Sequence, residues 1–473
     1  MPMRLRKEEP NESEWASLVR VFREPVPRRT RALLRRTWRL LPESLRGPRQ
    51  FQGRQYVGCG ATIGTQPRCD FACRGCYLGD GANQTPAQPL AESKRQLRRI
   101  RAWLGEGGNV QLTDGELTLL PEDELVELIR YAREIGLVPM LMTHGDAFRR
   151  RPGLLESLLE RGGLGEASIH IDSTQRGRLG AAYKNARCEV ELHPLRDEFA
   201  EMIRAARRAT GRTLDVASTV TVTRENLGEV ADVVLWHRRN ADAFKMVSFQ
   251  PVARVGRTEG GIVEAVGVRE LWEAIAAGLG GDPSEAKRLL AHQGWLGHPA
   301  CSLFLQGIVV EADGAEPVFQ PLFRPDDPRD QPIVEEWFRR FGGLTLRLDG
   351  RARAVARVVG LVARHPTFFL GRIVPYLARW PRRLSPGGAL DFFRRWRRGS
   401  IRLRYLNVVS HHFMSAEELE TESGRERLGT CVFRVPIADR MVPMCEVNAR
   451  GIRDELYRAA DRRSPAEQNM REV

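Results

Sequence analysis

Cysteine is scarce: eight in 473 residues, with none before Cys59. So sparse a set excludes a disulfide-stapled fold, and a chain of this length needs no staples. Apolar runs long enough to span a membrane are absent. The opening MPMRLRKEEPNESEW carries no apolar run after its basic residues, so a secretory signal is not expected. The expected location is the cytoplasm, with peripheral membrane contact as a further option. In that reducing setting clustered cysteines favour metal ligation over disulfides. Lysine is nearly missing too, five among 74 basic residues, a bias that genome composition produces as readily as function.

Positive charge is abundant but localised. Residues 1–50 carry a net +7, and residues 351–404 hold fourteen arginines against one acid, Asp391. The remainder is slightly acidic, so the overall +14 belongs to two segments. Such segments suit nucleic acid, anionic lipid or solvent.

From about residue 55 to 258, strand-like runs alternate with helix-like stretches. The predicted strands are YVGCGATIG, NVQLT, LVPMLMT, EASIHID, TLDVASTVTVT and FKMVSFQP. The helix opening at Pro121 has acidic residues in its first turn, as helix N-termini prefer. Six strands with intervening helices predict an α/β fold, a parallel barrel or doubly wound sheet, with chemistry at the carboxyl ends of the strands. Helices are expected near 268–280 and 283–293, and strands again in IRLRYLNVVS, TCVFRVPI and RMVPMC. The expected organisation is a basic N-terminal extension over 1–54, a core barrel over 55–258 and an α+β C-terminal extension over 259–473. That extension contains an Arg-rich helical segment, 350–404, and a region, 405–450, suited to an auxiliary cluster.

In CDFACRGCYLG, Cys69, Cys73 and Cys76 fall within eight positions, just after the first predicted strand. Three thiols at this spacing could close a zinc loop, lie buried without a metal, or anchor an iron–sulfur cube. A closed zinc site wants a fourth ligand, and the immediate stretch offers none. Three thiolates on a cube leave the fourth iron open.

The trio, followed by TDGEL after the second strand, resembles the radical SAM superfamily. The resemblance implies a partial (β/α)6 TIM-type barrel, a 4Fe-4S cluster on Cys69, Cys73 and Cys76, and S-adenosylmethionine on the open iron. It implies a reducing partner such as flavodoxin or ferredoxin, reductive cleavage of the sulfonium, and hydrogen abstraction from an unactivated carbon. Asp114, Gly115 and Glu116 resemble the family's Gly-Gly-Glu element, so Glu116 would accept from the cofactor's amino group while Gly115 permits close approach. Ser168, His170 and Asp172 alternate at the end of the fourth strand and share one face, where cofactor contacts are expected. Asn226 is a cofactor-binding candidate after the fifth strand, with Gln250 and Arg254 after the sixth. His144 is read as structural. Two positions depart from the family pattern: Gly75 stands where an aromatic is common, and Asp114 replaces a glycine.

Cys301, Cys431 and Cys445 are candidates for a second iron–sulfur cluster, with His411 and His412 nearby in sequence. Cys59 reads as a buried thiol, and Cys188 has no obvious partner. HPACSLFLQGIVVEADGAEPVFQPLF, HHFM and CVFRVPIADRMVPMCEVN resemble the branch of tetraether lipid synthase and the pterin-methylating enzymes. That likeness implies a small-molecule or lipid-like substrate and carbon–carbon bond formation or methylation. Five spare thiols exclude two further four-cysteine clusters. The segment 350–404 could meet an anionic membrane or pack on the barrel. Trp380 and Trp396 lie among its arginines, but no nucleic-acid module accompanies them, and no nucleic acid is expected. Two rivals remain: a peptide-modifying radical SAM enzyme with an auxiliary cluster, and a non-catalytic zinc protein with a nucleic-acid-binding arm.

Overall fold

The computed structural model describes residues 14–74, 76–79, 81–256, 264–280, 283–324, 327–346, 350–385 and 387–468. Gly75, most of residues 1–14, the expected barrel boundary at 258 and the last five residues lie outside them. Twelve strands form one sheet. They are β1 (Cys59–Ala61), β2 (Gly108–Leu112), β3 (Leu137–Thr143), β4 (Glu166–His170), β5 (Asp215–Val222), β6 (Phe244–Pro251), β7 (Gly294–Trp295), β8 (Ser302–Ala312), β9 (Val318–Pro321), β10 (Ile401–His411), β11 (Phe433–Ile437) and β12 (Arg440–Pro443).

β1 to β6 pair in sequence order, every pair parallel. Parallel neighbours need crossovers, and helices Leu90–Leu104, Glu122–Glu134, Leu154–Glu160, His193–Thr210 and Val230–Arg239 supply them. This is a six-stranded parallel α/β half-barrel, as the resemblance implies; the alternation alone left a barrel and a doubly wound sheet open. Helix Glu122–Glu134 starts after Pro121, with Glu122, Asp123 and Glu124 in its first turn. Helix His193–Thr210 stops at Gly211, which takes the left-handed conformation. Val110, Leu112, Leu141 and Ile169 from the strands pack against Leu97, Ile100, Leu128, Ile129 and Phe199 from the helices. Each such side chain fully buried contributes about 1.5–3 kcal/mol before entropy is counted.

The C-terminal strands do not form a separate layer. β10 pairs parallel with β6, and β8 pairs antiparallel with β10 along its whole length. At the opposite edge β11 pairs parallel with β1 and β12 closes a hairpin on it. The chain beyond 300 thus extends the half-barrel sheet at both edges. β8 was not anticipated from sequence, because its text runs between a cysteine motif and a Pro/Asp-rich loop.

The Arg-rich segment is helical. Helix Gly350–Arg364 is followed by a helical run from Pro366 to Leu384 and by helix Gly388–Arg397. A π turn over Phe369–Ile373 precedes Pro375, whose missing N–H cannot enter the ladder. The two basic segments are brought together: helix Glu14–Arg23 lies on Gly350–Arg364. At Gly360 a Cβ would sit 2.4 Å from the Phe22 carbonyl oxygen, and the Arg364 guanidinium covers the Phe22 ring at 5.0 Å.

Candidate functional site

Cys69, Cys73 and Cys76 occupy the loop between β1 and helix Leu90–Leu104, at the carboxyl edge of the parallel strands. The loops after the next five strands all hold this loop. After β2, the Glu116 N–H donates to the Arg68 carbonyl at 2.8 Å. Gly115, at φ +63°, lies so close that a Cβ would meet the Gln66 and Arg68 carbonyl oxygens at 2.4 and 2.5 Å. After β3, His144 stacks flat on Phe71 at 3.8 Å, and its Nε2 lies 2.7 Å from Asp70. After β4, the Ala72 and Arg74 N–H groups donate to the Arg176 and Thr174 carbonyls at 2.9 and 3.1 Å. After β5, Glu225 forms an ion pair with Arg74. After β6, Gly256 approaches the Tyr77 carbonyl where no Cβ would fit.

The three thiols are close enough for each to raise the cost of ionising another. Burial pushes the Cys69 thiol up to about 12, with the Glu116, Cys76 and Asp70 charges adding to it. Cys73 is raised as well, again chiefly by burial, with Cys76, Asp172 and Cys69 next. A desolvated thiolate set of this kind is stabilised by bound positive charge. The donors fit a cube held at three corners: three sulfurs on one clamped loop, with no fourth cysteine beside them in sequence.

Cys69, Asp70 and His144 also place one donor atom each within 4.8 Å of one another. These groups are already committed. His144 Nδ1 accepts the Asp146 N–H, which assigns the ring proton to Nε2, facing Asp70. The hydrogen bond from His144 is the main reason the Asp70 carboxyl titrates below the usual carboxylate range. Burial opposes it and Arg150, 2.7 Å away, assists. His144 therefore orients the residue after Cys69, the structural part expected of it.

The expected cofactor residues surround this loop, but most of their polar atoms are turned to protein partners. Glu116 is 1% exposed. Its Oε1 accepts from the Thr118 hydroxyl and the Thr143 hydroxyl at 2.5 and 2.6 Å, and its Oε2 accepts the His144 N–H at 2.8 Å. Asp114 is fully buried; Oδ2 accepts the Gly64 N–H at 3.0 Å and the Tyr457 hydroxyl. Its Oδ1 lies 2.5 Å from an Arg453 guanidinium nitrogen, a charge contact without an aligned N–H. Ser168 shares a hydrogen bond with Thr219 at 2.8 Å. Asp172 accepts from Thr174 and from the Thr221 N–H, and its Oδ2 lies 2.6 Å from His170 Nε2. Burial alone would raise the Asp172 carboxyl, but His170 and these donors outweigh it and hold it low. Asn226 is 3% exposed and ties the Thr223 N–H, the Thr221 carbonyl and Glu189 together. His170 is the partly open member of the set, its side chain 34% exposed. Gln250 is partly buried, and Arg254 is exposed, 3.7 Å from Glu417.

Sequence reasoning missed the buried cations that brace this end of the barrel. Arg178 donates to the carbonyls of His144 and His170, to Asp146 at 3.0 Å and to Gln175 at 2.6 Å, with its guanidinium over Phe71. Arg196 pairs with Glu189 at 2.5 Å, both fully buried. Arg453 reaches Asp114 from the far end of the chain and covers the Tyr77 ring at 4.8 Å. No local pattern marks any of these, since each partner is set by the fold.

No family model matches the chain. A curated relative, the 7,8-dihydro-6-hydroxymethylpterin dimethyltransferase of Methanocaldococcus jannaschii, is 24% identical over 201 residues, 42% of this chain. The matched stretch is 37% of that relative's length, so the chain covers well under half of it. Among solved structures, Streptococcus suis SuiB bound to its precursor peptide SuiA aligns at 14% identity and TM-score 0.35, covering 46% of this chain and 45% of that one. Native anSMEcpe with bound AdoMet aligns at 11% identity and TM-score 0.33, covering 46% and 58%. Methylornithine synthase (PylB) aligns at 13% identity and TM-score 0.31, covering 56% and 73%.

The C-terminal cysteines converge as well. Cys431 and Cys445 stand at the open end of the β11–β12 hairpin, and Cys301 immediately precedes β8. Burial pushes Cys431 up to about 11 and Cys445 higher, and the charges of Cys301 and Cys431 contribute at Cys445, which marks the three as neighbours. Arg427 directs its Nε to the Cys301 sulfur at 3.1 Å, and His412 donates its N–H to the Cys301 carbonyl at 2.8 Å. Burial lowers His411 to about 4 and His412 to about 3, so both rings are neutral near pH 7. Cys59, expected to be buried, is partly buried, its sulfur 3.4 Å from Asn109 Oδ1, and Cys188 is partly buried as well.

Proposed function

We propose that this chain is a radical SAM enzyme that binds a 4Fe-4S cluster through Cys69, Cys73 and Cys76 and acts on an unactivated C–H bond of a hydrophobic or lipid-like substrate. The observation that carries the reading is the clamping of one three-cysteine loop by the loops after β2 to β6. Bound there, the cluster and S-adenosylmethionine supply one-electron cleavage of the sulfonium and hydrogen abstraction. The chain's own residues fix the geometry. Gly115 lets the β2 loop approach the cysteine loop, Glu116 ties β2 to β3, and His144 with Arg150 orients Asp70 beside Cys69. The partly open His170 is the side chain we assign to cofactor contact, with Asp172 fixing its ring. A rigid surround of this kind positions the reacting carbon and keeps water out.

For the outcome, the reading favours methyl transfer or carbon–carbon bond formation, the first supported by the pterin dimethyltransferase relative. A second cluster on Cys301, Cys431 and Cys445 belongs to the same proposal and is supported by their convergence. The test is formation of 5′-deoxyadenosine from S-adenosylmethionine under anaerobic reduction. The intact, reconstituted protein should form it, and Cys69→Ala, Cys73→Ala and Cys76→Ala should each abolish it. Equal formation by any of the three variants would refute the assignment.

A further inference from the structure

We propose that the Arg-rich helices of residues 350–398 dock this protein on the surface of an anionic phospholipid bilayer, lying flat without crossing it. The inward faces of these helices are fully used. Leu361 and Phe368 are buried with Ile333 and Phe341, and Trp380 and Phe392 with Val310 and Ile401. Tyr376 packs against both groups, so the helices form one continuous layer on the β8–β10 side of the sheet. Their outward faces are apolar as well. Val355, Val359 and Val362 follow helical spacing on Gly350–Arg364, and all are exposed. Leu370, Val374 and Leu377 repeat that spacing in the next helical run, with Leu370 68% exposed. Leu390, Phe393 and Trp396 do so in the third, with Leu390 76% exposed. A layer whose outer face carries this much unburied aliphatic surface marks an interaction site.

Charge identifies the occupant. Arg379, Arg383, Arg395 and Arg404 have carboxylates in reach. Among the described residues, Arg382, Arg394, Arg397 and Arg398 are exposed and form no ion pair. Helix Glu14–Arg23, with Arg20 and Arg23 in its last turn, packs beside the first of these helices. Exposed aliphatic side chains gain nothing against a phosphodiester backbone, whereas arginines flanking an apolar stripe match a headgroup layer over acyl chains. Long arginine stems let the apolar residues enter while the charges stay at the headgroups. No described helix is long and apolar enough to cross a membrane.

The test is flotation of the full chain with phosphatidylcholine vesicles, with and without phosphatidylglycerol, at low and physiological salt. The protein should float with the anionic vesicles, more at low salt, and stay behind with the neutral ones. Leu370→Ser/Leu377→Ser/Trp396→Ser should weaken binding about tenfold, and so should Arg394→Gln/Arg397→Gln/Arg398→Gln, which should also flatten the salt dependence. All six positions point outward, and an unchanged thermal unfolding transition confirms that each variant folds; Leu390→Ser alone serves where the triple variant does not. Binding that survives loss of the apolar residues would overturn the proposal. So would tighter binding of an oligonucleotide weakened by the same substitutions, which would assign the face to nucleic acid. Because the readout is partition onto vesicles, it stands or falls separately from radical chemistry.

Discussion

Arg453 and Asp114 meet at 2.5 Å across a buried contact that joins the last described helix of the chain to the turn after β2. Asp114 is a fully buried carboxylate, and the fold brings its charge partner from the far end of the chain. Arg453 also reaches Asn448, and its guanidinium covers Tyr77, one residue past Cys76. Burial alone would lower the Arg453 pKa, but Asp114 outweighs it and raises the net value. The C-terminal helix is thereby fastened to the cysteine loop.

Asp114→Gly should destabilise the protein by about 3–5 kcal/mol, because it strands a buried guanidinium. Arg453→Met should cost as much through the stranded carboxylate. The double variant should cost clearly less than the two together. Urea unfolding of the three variants measures this, and additive losses would show that the pair does not interact.

Gly115→Ala should release the cysteine loop. The new Cβ would meet two carbonyl oxygens of residues 66 and 68, and φ is positive. Gly211 has the same backbone conformation with open space around it. Gly211→Ala should therefore cost about 1 kcal/mol and keep its iron, whereas Gly115→Ala should lose iron on reconstitution. Iron content of the two variants decides the point.

Arg178→Met should destabilise by about 3 kcal/mol, since it takes the nearer of two guanidinium partners from buried Asp146, leaving Arg149 and the Leu179 N–H, and removes donors from the His144 and His170 carbonyls. Arg178→Lys should recover only part of this, because a point charge cannot serve a forked set of acceptors. Denaturant midpoints measure both.

Stability should fall on mild acidification. Burial lowers His237 to about 3 and His193 to about 4, both from the ordinary 6.5. Between about pH 6.5 and pH 4 the unfolded chain takes up protons that the folded chain refuses, so each step down favours unfolding. His237→Gln should flatten the dependence of the urea midpoint on pH across that window. An unchanged slope would contradict the assignment.

The barrel was legible because its strands are marked by apolar runs bounded by turns. β3 and β6 have the limits that LVPMLMT and FKMVSFQP predict. The cysteine loop was legible from spacing alone. What sequence could not show was direction: Glu116, Asp172 and Asn226 sit at the expected strand ends, yet their oxygens and nitrogens face neighbouring loops. Nor could it show pairings set by the fold, such as Asp114 with Arg453, or the docking of β10 and β11 onto opposite edges of the sheet. The meeting of the two basic segments at Gly360 and Phe22 belongs to the same class.

The central claim is that Cys69, Cys73 and Cys76 hold an iron–sulfur cluster. Iron and acid-labile sulfide per chain, after anaerobic reconstitution, test it most directly in the intact protein and in Cys69→Ala/Cys73→Ala/Cys76→Ala. The account predicts that the variant loses about four irons and four sulfides relative to the intact protein. What it retains then measures the C-terminal trio. Equal iron in the two proteins, or zinc without sulfide in the intact one, would contradict the claim.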